Sequence, residues 1–154
     1  MDEWIGLPDD YDFEKMTEEY TRSYNLLCEV NEPFHVKMKK IFDYLQVDRL
    51  SFEEKTELHT KFFTDFQREG YIPRMSTFIS MCMGLNLDLA TAESLLASAK
   101  VAFDKTDRLH CAYIYLLTKH QGLNIEDCNK ILKYLGYTEK KQLLGTFDKD
   151  SRRK

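Results

Sequence analysis

Apolar side chains recur at steps of three and four residues along most of the chain, and no stretch alternates with the two-residue period of a strand. Such spacing lines apolar groups along one stripe of a helix. Phe13, Met16, Tyr20, Tyr24 and Leu27 mark a helix over about 11–30. It ends at Asn31-Glu32-Pro33, because Pro33 disfavours helical geometry in the residue before it. Phe34, Met38, Ile41, Phe42 and Leu45 mark a second over about 33–46, with a break at Asp48-Arg49. Ser51-Phe52-Glu53-Glu54 reads as a capping box, with Ser51 at the N-cap. The stripe that follows it is Phe52, Leu58, Phe62, Phe63 and Phe66, closed by Gly70.

Pro73 suits the first position of the next helix, whose inner face is Met75, Phe78, Ile79 and Cys82 and whose stop is Gly84. A helix over about 89–100 follows, with Leu89, Ala92, Leu95, Leu96 and Ala99 inward. Asp104–Asp107 forms a turn and N-cap before Leu109, Ala112, Tyr113, Leu116 and Leu117, a helix ending near Gln121-Gly122. Asn124 caps the stripe Ile125, Cys128, Ile131, Leu132 and Leu135, stopped by Gly136, and a last turn covers Glu139–Leu144. No repeat of fixed length is evident.

The expected fold is therefore all-α: a compact multi-helix bundle with an acidic N-terminal arm and helix (1–32), a core (33–100), a C-terminal helical extension (101–146) and a flexible tail (147–154). Six Gly and three Pro in 154 residues suit many helices joined by short connections. No apolar run reaches the roughly 20 residues that cross a bilayer. The acidic start MDEWIGLPDDYDFE is unlike a secretory or transit leader, so a cytoplasmic location is expected.

Charge is unevenly spread. Residues 1–32 carry ten carboxylates against Lys15 and Arg22, a net −8, and the remainder carries 16 acidic and 20 basic residues, a net +4. A basic body admits contact with nucleic acid, and the acidic arm admits contact with a basic surface.

Little here resembles catalytic or metal chemistry. Cys28, Cys82, Cys111 and Cys128 are widely separated among apolar residues and read as buried free thiols. His35, His59, His110 and His120 show no ligand spacing. Glu53-Glu54 and Glu126-Asp127 stand at helix starts, where they favour the helix dipole, and adjacent carboxylates on a helix point apart. No metal, no cofactor and no enzymatic activity is expected.

The order of elements from Leu50 to Leu87 is more telling. Leu50-Ser51-Phe52-Glu53-Glu54 opens one helix. Arg68-Glu69-Gly70-Tyr71-Ile72-Pro73 precedes another, and Phe78–Gly84 runs into Leu85-Asn86-Leu87. This order resembles the Xre/Cro-type helix-turn-helix family of bacterial and phage regulators. The stretch from Ala92-Glu93-Ser94-Leu95-Leu96 to Ile131-Leu132 looks like the C-terminal extension some of them carry.

The resemblance implies a dimeric transcription regulator or repressor, of mobile-element type, that binds double-stranded DNA. The reading helix would be about 61–69, offering Lys61, Thr64, Gln67 and Arg68, with Gln67 and Arg68 supplying most base readout and Lys55 and Arg74 holding phosphates. Asp65 and Glu69 would lie on the same surface. Trp4, Ile5, Leu7 and Tyr11 are apolar residues on a chain end, which suits an arm exchanged between subunits.

One departure from the family pattern keeps two structures open. Leu58-His59-Thr60-Lys61-Phe62-Phe63 holds no Gly, Pro or Asn, and Leu58, Phe62 and Phe66 stay in register with a single helix. Either a minimal turn interrupts the chain at His59-Thr60, or one helix runs from Phe52 to Glu69. The second structure favours another function: an inhibitor encoded by a phage or mobile element, of anti-defence or anti-CRISPR type. Its acidic surface of Asp9, Asp10, Asp12, Glu14, Glu18 and Glu19 would engage a nucleic-acid-binding host protein.

Overall fold

In a computed structural model of the protein, which describes residues 6–27 and 32–145, eight α-helices occur and no strand is found among those residues. In chain order they are α1 (Phe13–Leu27), α2 (Phe34–Tyr44), α3 (Arg49–Thr56), α4 (Lys61–Phe66), α5 (Met75–Gly84), α6 (Leu89–Ser98), α7 (Arg108–Lys119) and α8 (Ile125–Tyr134), before a 3-10 turn at Lys140–Gln142. The all-α expectation holds. Trp4, Ile5, Cys28, the expected end of the first helix near residue 30 and the tail lie outside the described residues. No described helix is long and apolar enough to cross a membrane.

Five of the described α-helices start at side-chain caps, the first at Asp12, whose carboxylate accepts from the Lys15 amide at 2.9 Å. Asp48 accepts from the Ser51 amide at 2.8 Å, and the Ser51 hydroxyl accepts in return from the Asp48 amide at 3.0 Å. The capping box is thus one step earlier than expected: Asp48 is the N-cap and Ser51 the third helical residue. An Asp carboxylate reaches the free amides as well as a hydroxyl does, so either residue could have served. Asp88, Asp107 and Asn124 cap α6, α7 and α8 without a reciprocal bond, accepting from the Thr91, Leu109 and Asp127 amides. Pro73 does not begin α5; Arg74 is its N-cap, in extended geometry.

Helix ends are built on left-handed residues that are mostly not glycine. Gln46, Asn86 and Lys100 have φ near +60°, and the amide after each reaches back to the helix: Val47 to Phe42 O, Leu87 to Cys82 O, Val101 to Leu96 O. The corners Leu45-Gln46-Val47-Asp48 and Leu85-Asn86-Leu87-Asp88 therefore share conformation and N-cap at equal spacing along α2–α3 and α5–α6. The sequence disguises this echo because helices on either side differ in apolar content.

The segment 49–66 is two helices, not the single rod from Phe52 to Glu69. Its break comes at Glu57, with φ 54°, slightly earlier than the His59-Thr60 position, and Thr60 makes no side-chain cap. A non-glycine residue in this region costs about 1–3 kcal/mol. Leu58 is fully buried just beyond it, which contributes about 1.5–3 kcal/mol. Thr56 completes the corner, its hydroxyl donating to Phe52 O at 2.7 Å and accepting from the Leu58 amide at 3.2 Å. Burial of Leu58 is thus large enough to offset the cost of the left-handed residue.

The core is aromatic where α2, α3 and α4 meet. Phe42 stacks on Phe63 with ring centres 5.0 Å apart, and Phe34, Phe52 and Phe66 close around them. Helix α5 is central: every residue from Thr77 to Met83 is buried. It approaches α3 so closely that a Cβ on Gly84 would stand 2.5 Å from Lys55 O and 2.7 Å from Thr56 Cα. Lys37 is the one charged side chain buried among the described residues, its Nζ donating to Ser94 Oγ at 3.3 Å.

Helix α1 departs from the expectation of a buried stripe. Leu26 is buried and Arg22 donates to Asn86 O at 3.3 Å, which ties the C-terminal half to the body. Residues 13–21, by contrast, are all exposed, and the stripe residues Phe13, Tyr20 and Tyr24 are 58%, 66% and 68% exposed. Periodicity reveals which residues share a face, not whether anything covers it.

Candidate functional site

The residues expected to read DNA gather on and beside α4, but several are already engaged. Gln67 is half-buried and its amide donates to Phe63 O at 2.9 Å. Arg68 is exposed but bound to Asp65 at 2.5 Å, with its guanidinium over the Tyr71 ring. Thr64 is exposed, and its hydroxyl accepts from Arg49 Nη2 at 3.1 Å. Lys61 is exposed at the start of α4, its ammonium 5.0 Å from the Phe62 ring centre. Lys55 is exposed in the last turn of α3, and Arg74 is exposed at the start of α5. With Phe66 the last residue of α4, Gln67 and Arg68 fall just past the helix end rather than inside a 61–69 helix.

Lys61 and Arg74 also border a cleft of about 670 Å³ between α4, the start of α5 and the segment 140–145. Lys140 and Lys141 supply its far wall, Phe62 and Tyr71 its apolar side, and Ser76 and Thr77 its floor. Burial, followed by the nearby Asp65 carboxylate, pushes the Tyr71 hydroxyl up to about 12, so it stays a neutral donor. A second hollow shares Arg74, Ser76 and Lys141 and continues toward His110 and Tyr113. Lys61 and Arg74 are candidates on sequence alone, whereas Lys140 and Lys141 are not, because nothing local shows that the C-terminal segment returns to α5.

That return is specific. Asn129 bonds both backbone groups of Leu144, the Gly145 amide donates to Ser80 Oγ at 2.7 Å, and Tyr113 OH donates to Gln142 O at 2.7 Å. Gly145, with φ 78°, lies against Glu57; a Cβ there would meet Glu57 O at 3.2 Å. The two lysines therefore stand on a fixed strap.

Asp9, Asp10, Asp12, Glu14, Glu18 and Glu19 are all exposed, on the same projecting arm as the α1 stripe. On the opposite end of the sequence, α7 and α8 leave an apolar hollow of about 520 Å³, lined by Tyr115, Ile131, Tyr134 and Leu135 with His120 and Lys130 at its edge.

Two of the described thiols are sequestered from chemistry. Cys82 and Cys128 are buried, and burial pushes both up, Cys128 to about 12, which keeps them as unreactive thiols. Cys111 is exposed, contrary to the expectation of a buried thiol, because it lies on the outward side of α7. His110 accepts from the Asp104 amide at 2.9 Å, a local turn contact. No group of three or more His, Cys, Asp or Glu that could hold a metal occurs among the described residues.

Comparison of the chain with protein-family models, with curated proteins and with solved structures returned no match.

Proposed function

We propose that the protein is a DNA-binding regulator on an Xre-like helix-turn-helix scaffold, with α3 and α4 as the paired helices. The observation that carries this reading is the break at Glu57, which divides 49–66 into two helices and leaves Lys61 and Thr64 exposed on the second. In such motifs the N-terminal residues of the second helix reach base edges. Lys61 and Thr64 therefore take the base-reading role, and Gln67 holds the end of α4 to itself. Lys55 and Arg74, with Arg68 behind Asp65, face phosphates and supply salt-dependent affinity.

Selection of bound duplexes from a random DNA pool at moderate salt tests this. The wild-type chain enriches a defined site, Lys61→Ala and Thr64→Ala lose it, and Gln67→Ala keeps its sequence while losing some stability. Absence of any enrichment by the folded protein overturns the reading.

Two copies would act together, joined by the exposed α1 stripe. The occupant of that stripe is the α7–α8 hollow of a second copy: one surface is apolar and flanked by Glu14, Glu18 and Glu19, the other apolar and flanked by Lys119, Lys130 and Lys133, all exposed.

A rival function draws on the same arm. Its six exposed carboxylates, together with the pairing of Arg68 to Asp65 at the end of α4, favour an inhibitor that presents acid to the basic groove of a nucleic-acid-binding host protein. A failed DNA selection, followed by inhibition of such an enzyme that is lost on charge reversal of Glu14, Glu18 and Glu19, would establish it.

A further inference from the structure

We infer that the cleft between α4, the N-terminus of α5 and the 140–145 strap is a seat for a phosphate group, carried by a small organic phosphate or by a nucleic-acid backbone. This inference rests on the cavity, and it stands or falls separately from base reading by α4.

Three observations converge on it. Four cations line one hollow, from three separate parts of the chain: Lys61, Arg74, Lys140 and Lys141. Their convergence makes the local potential positive, which favours an anion there. Among the described residues neither Lys61 nor Arg74 has a carboxylate partner, and Lys141 reaches Glu139 only at 3.9 Å.

The start of α5 supplies neutral donors at the same place. Arg74 is its N-cap and offers no side-chain cap, unlike the caps of α3, α6, α7 and α8. The first amides of this ten-residue helix therefore lack the acceptor those helices provide. Helix N-termini hold anions through these amides and the helix dipole.

Thr77 is the third observation. It lines the cleft and is only 8% exposed, yet its hydroxyl has no hydrogen-bond partner among the described residues. An oxygen of a bound phosphate would accept from it. A tetrahedral dianion can take donors from the Thr77 hydroxyl, the α5 amides and the lysines together, which a carboxylate cannot do as fully.

The test is a titration of the full-length, 15N-labelled protein with inorganic phosphate, with sodium chloride at matched ionic strength as the control. Phosphate should move the Met75, Ser76 and Thr77 amide resonances saturably, and chloride should not. Lys140→Ala with Lys141→Ala, and separately Thr77→Val, should weaken binding about tenfold. Amides that stay still, or that follow chloride equally, overturn the seat. So does unchanged affinity in both variants, provided their spectra show a folded chain.

A second arm adds a short mixed-sequence duplex. If it moves the same amides and phosphate displaces it, the phosphate belongs to a nucleic-acid backbone. If the duplex leaves them unmoved while phosphate binds, the ligand is a free organic phosphate. Loss of the DNA-selected site with an intact phosphate response, or the reverse, separates failure of the regulator reading from failure of the seat.

Discussion

Asn129 holds Leu144 by both of its backbone groups: its Oδ1 accepts from the Leu144 amide at 2.7 Å and its Nδ2 donates to the Leu144 carbonyl at 3.0 Å. A side-chain amide can pair with a peptide in this way only when the two planes are aligned, so α8 fixes the orientation of the strap as well as its position. Leu144 itself is buried, and its neighbours Lys140 and Lys141 reach the cleft because of this anchor.

Asn129→Ala should therefore lower stability by about 1–3 kcal/mol, the cost of two backbone groups losing partners in a partly buried place. Urea denaturation reads it directly. An unchanged midpoint would mean that water replaces both bonds at no cost and that the strap is held elsewhere.

Gly84→Ala should be costly although alanine is the better helix former. The new methyl would meet backbone atoms of Lys55 and Thr56, which cannot rotate aside, and would force α3 from α5. The expected loss is about 1–3 kcal/mol, the range for overpacking a filled core. A variant as stable as wild type would show that the two helices can separate freely.

Glu57 is strained in two respects, with φ 54° and a carboxyl raised above its ordinary value by burial and then by the Glu126 charge. Its ionised form is disfavoured in the folded state. Stability from this group is greatest while it is protonated and declines as pH rises from the ordinary carboxylate range through the raised folded value. Glu57→Gln should flatten that decline, seen as a smaller drop in Tm between acidic and neutral pH. Glu57→Gly should in addition relieve the backbone by about 1 kcal/mol and raise Tm at neutral pH.

Tyr20→Lys with Tyr24→Lys removes two exposed rings from the α1 stripe, where they stack with centres 6.5 Å apart. Neither is buried within its own chain, so the fold and its Tm should be nearly unchanged. Light scattering coupled to size exclusion should show a dimer for wild type and a monomer for the variant. A wild-type monomer at micromolar concentration rules out the arm-to-hollow contact.

Helix content, helix order and most core residues were legible because apolar period and caps are local properties. Asp107 and Asn124 cap the helices they were expected to cap, and Phe78, Ile79 and Cys82 lie inside. The Glu57 corner was not legible, since its cause is a distant pocket that takes Leu58, and no turn residue announces it. The exposure of Phe13, Tyr20 and Tyr24 was hidden for the converse reason: a stripe looks the same whether covered or bare. Of the candidate site, Lys61 and Arg74 stand close in sequence and could be paired, whereas Lys140 and Lys141 join them only through Asn129 and Ser80.

Helix α5 has no free side between Thr77 and Met83, and it abuts a cleft at one end and the backbone of α3 at the other. A helix packed this closely passes strain along its length, because close-packed interiors transmit displacement rather than absorb it. Whatever settles on Ser76 and Thr77 is thus mechanically continuous with Lys55 and Thr56. The cleft and the α3–α4 corner stand at opposite ends of one closely packed helix, so a strain introduced at either is carried along the same element.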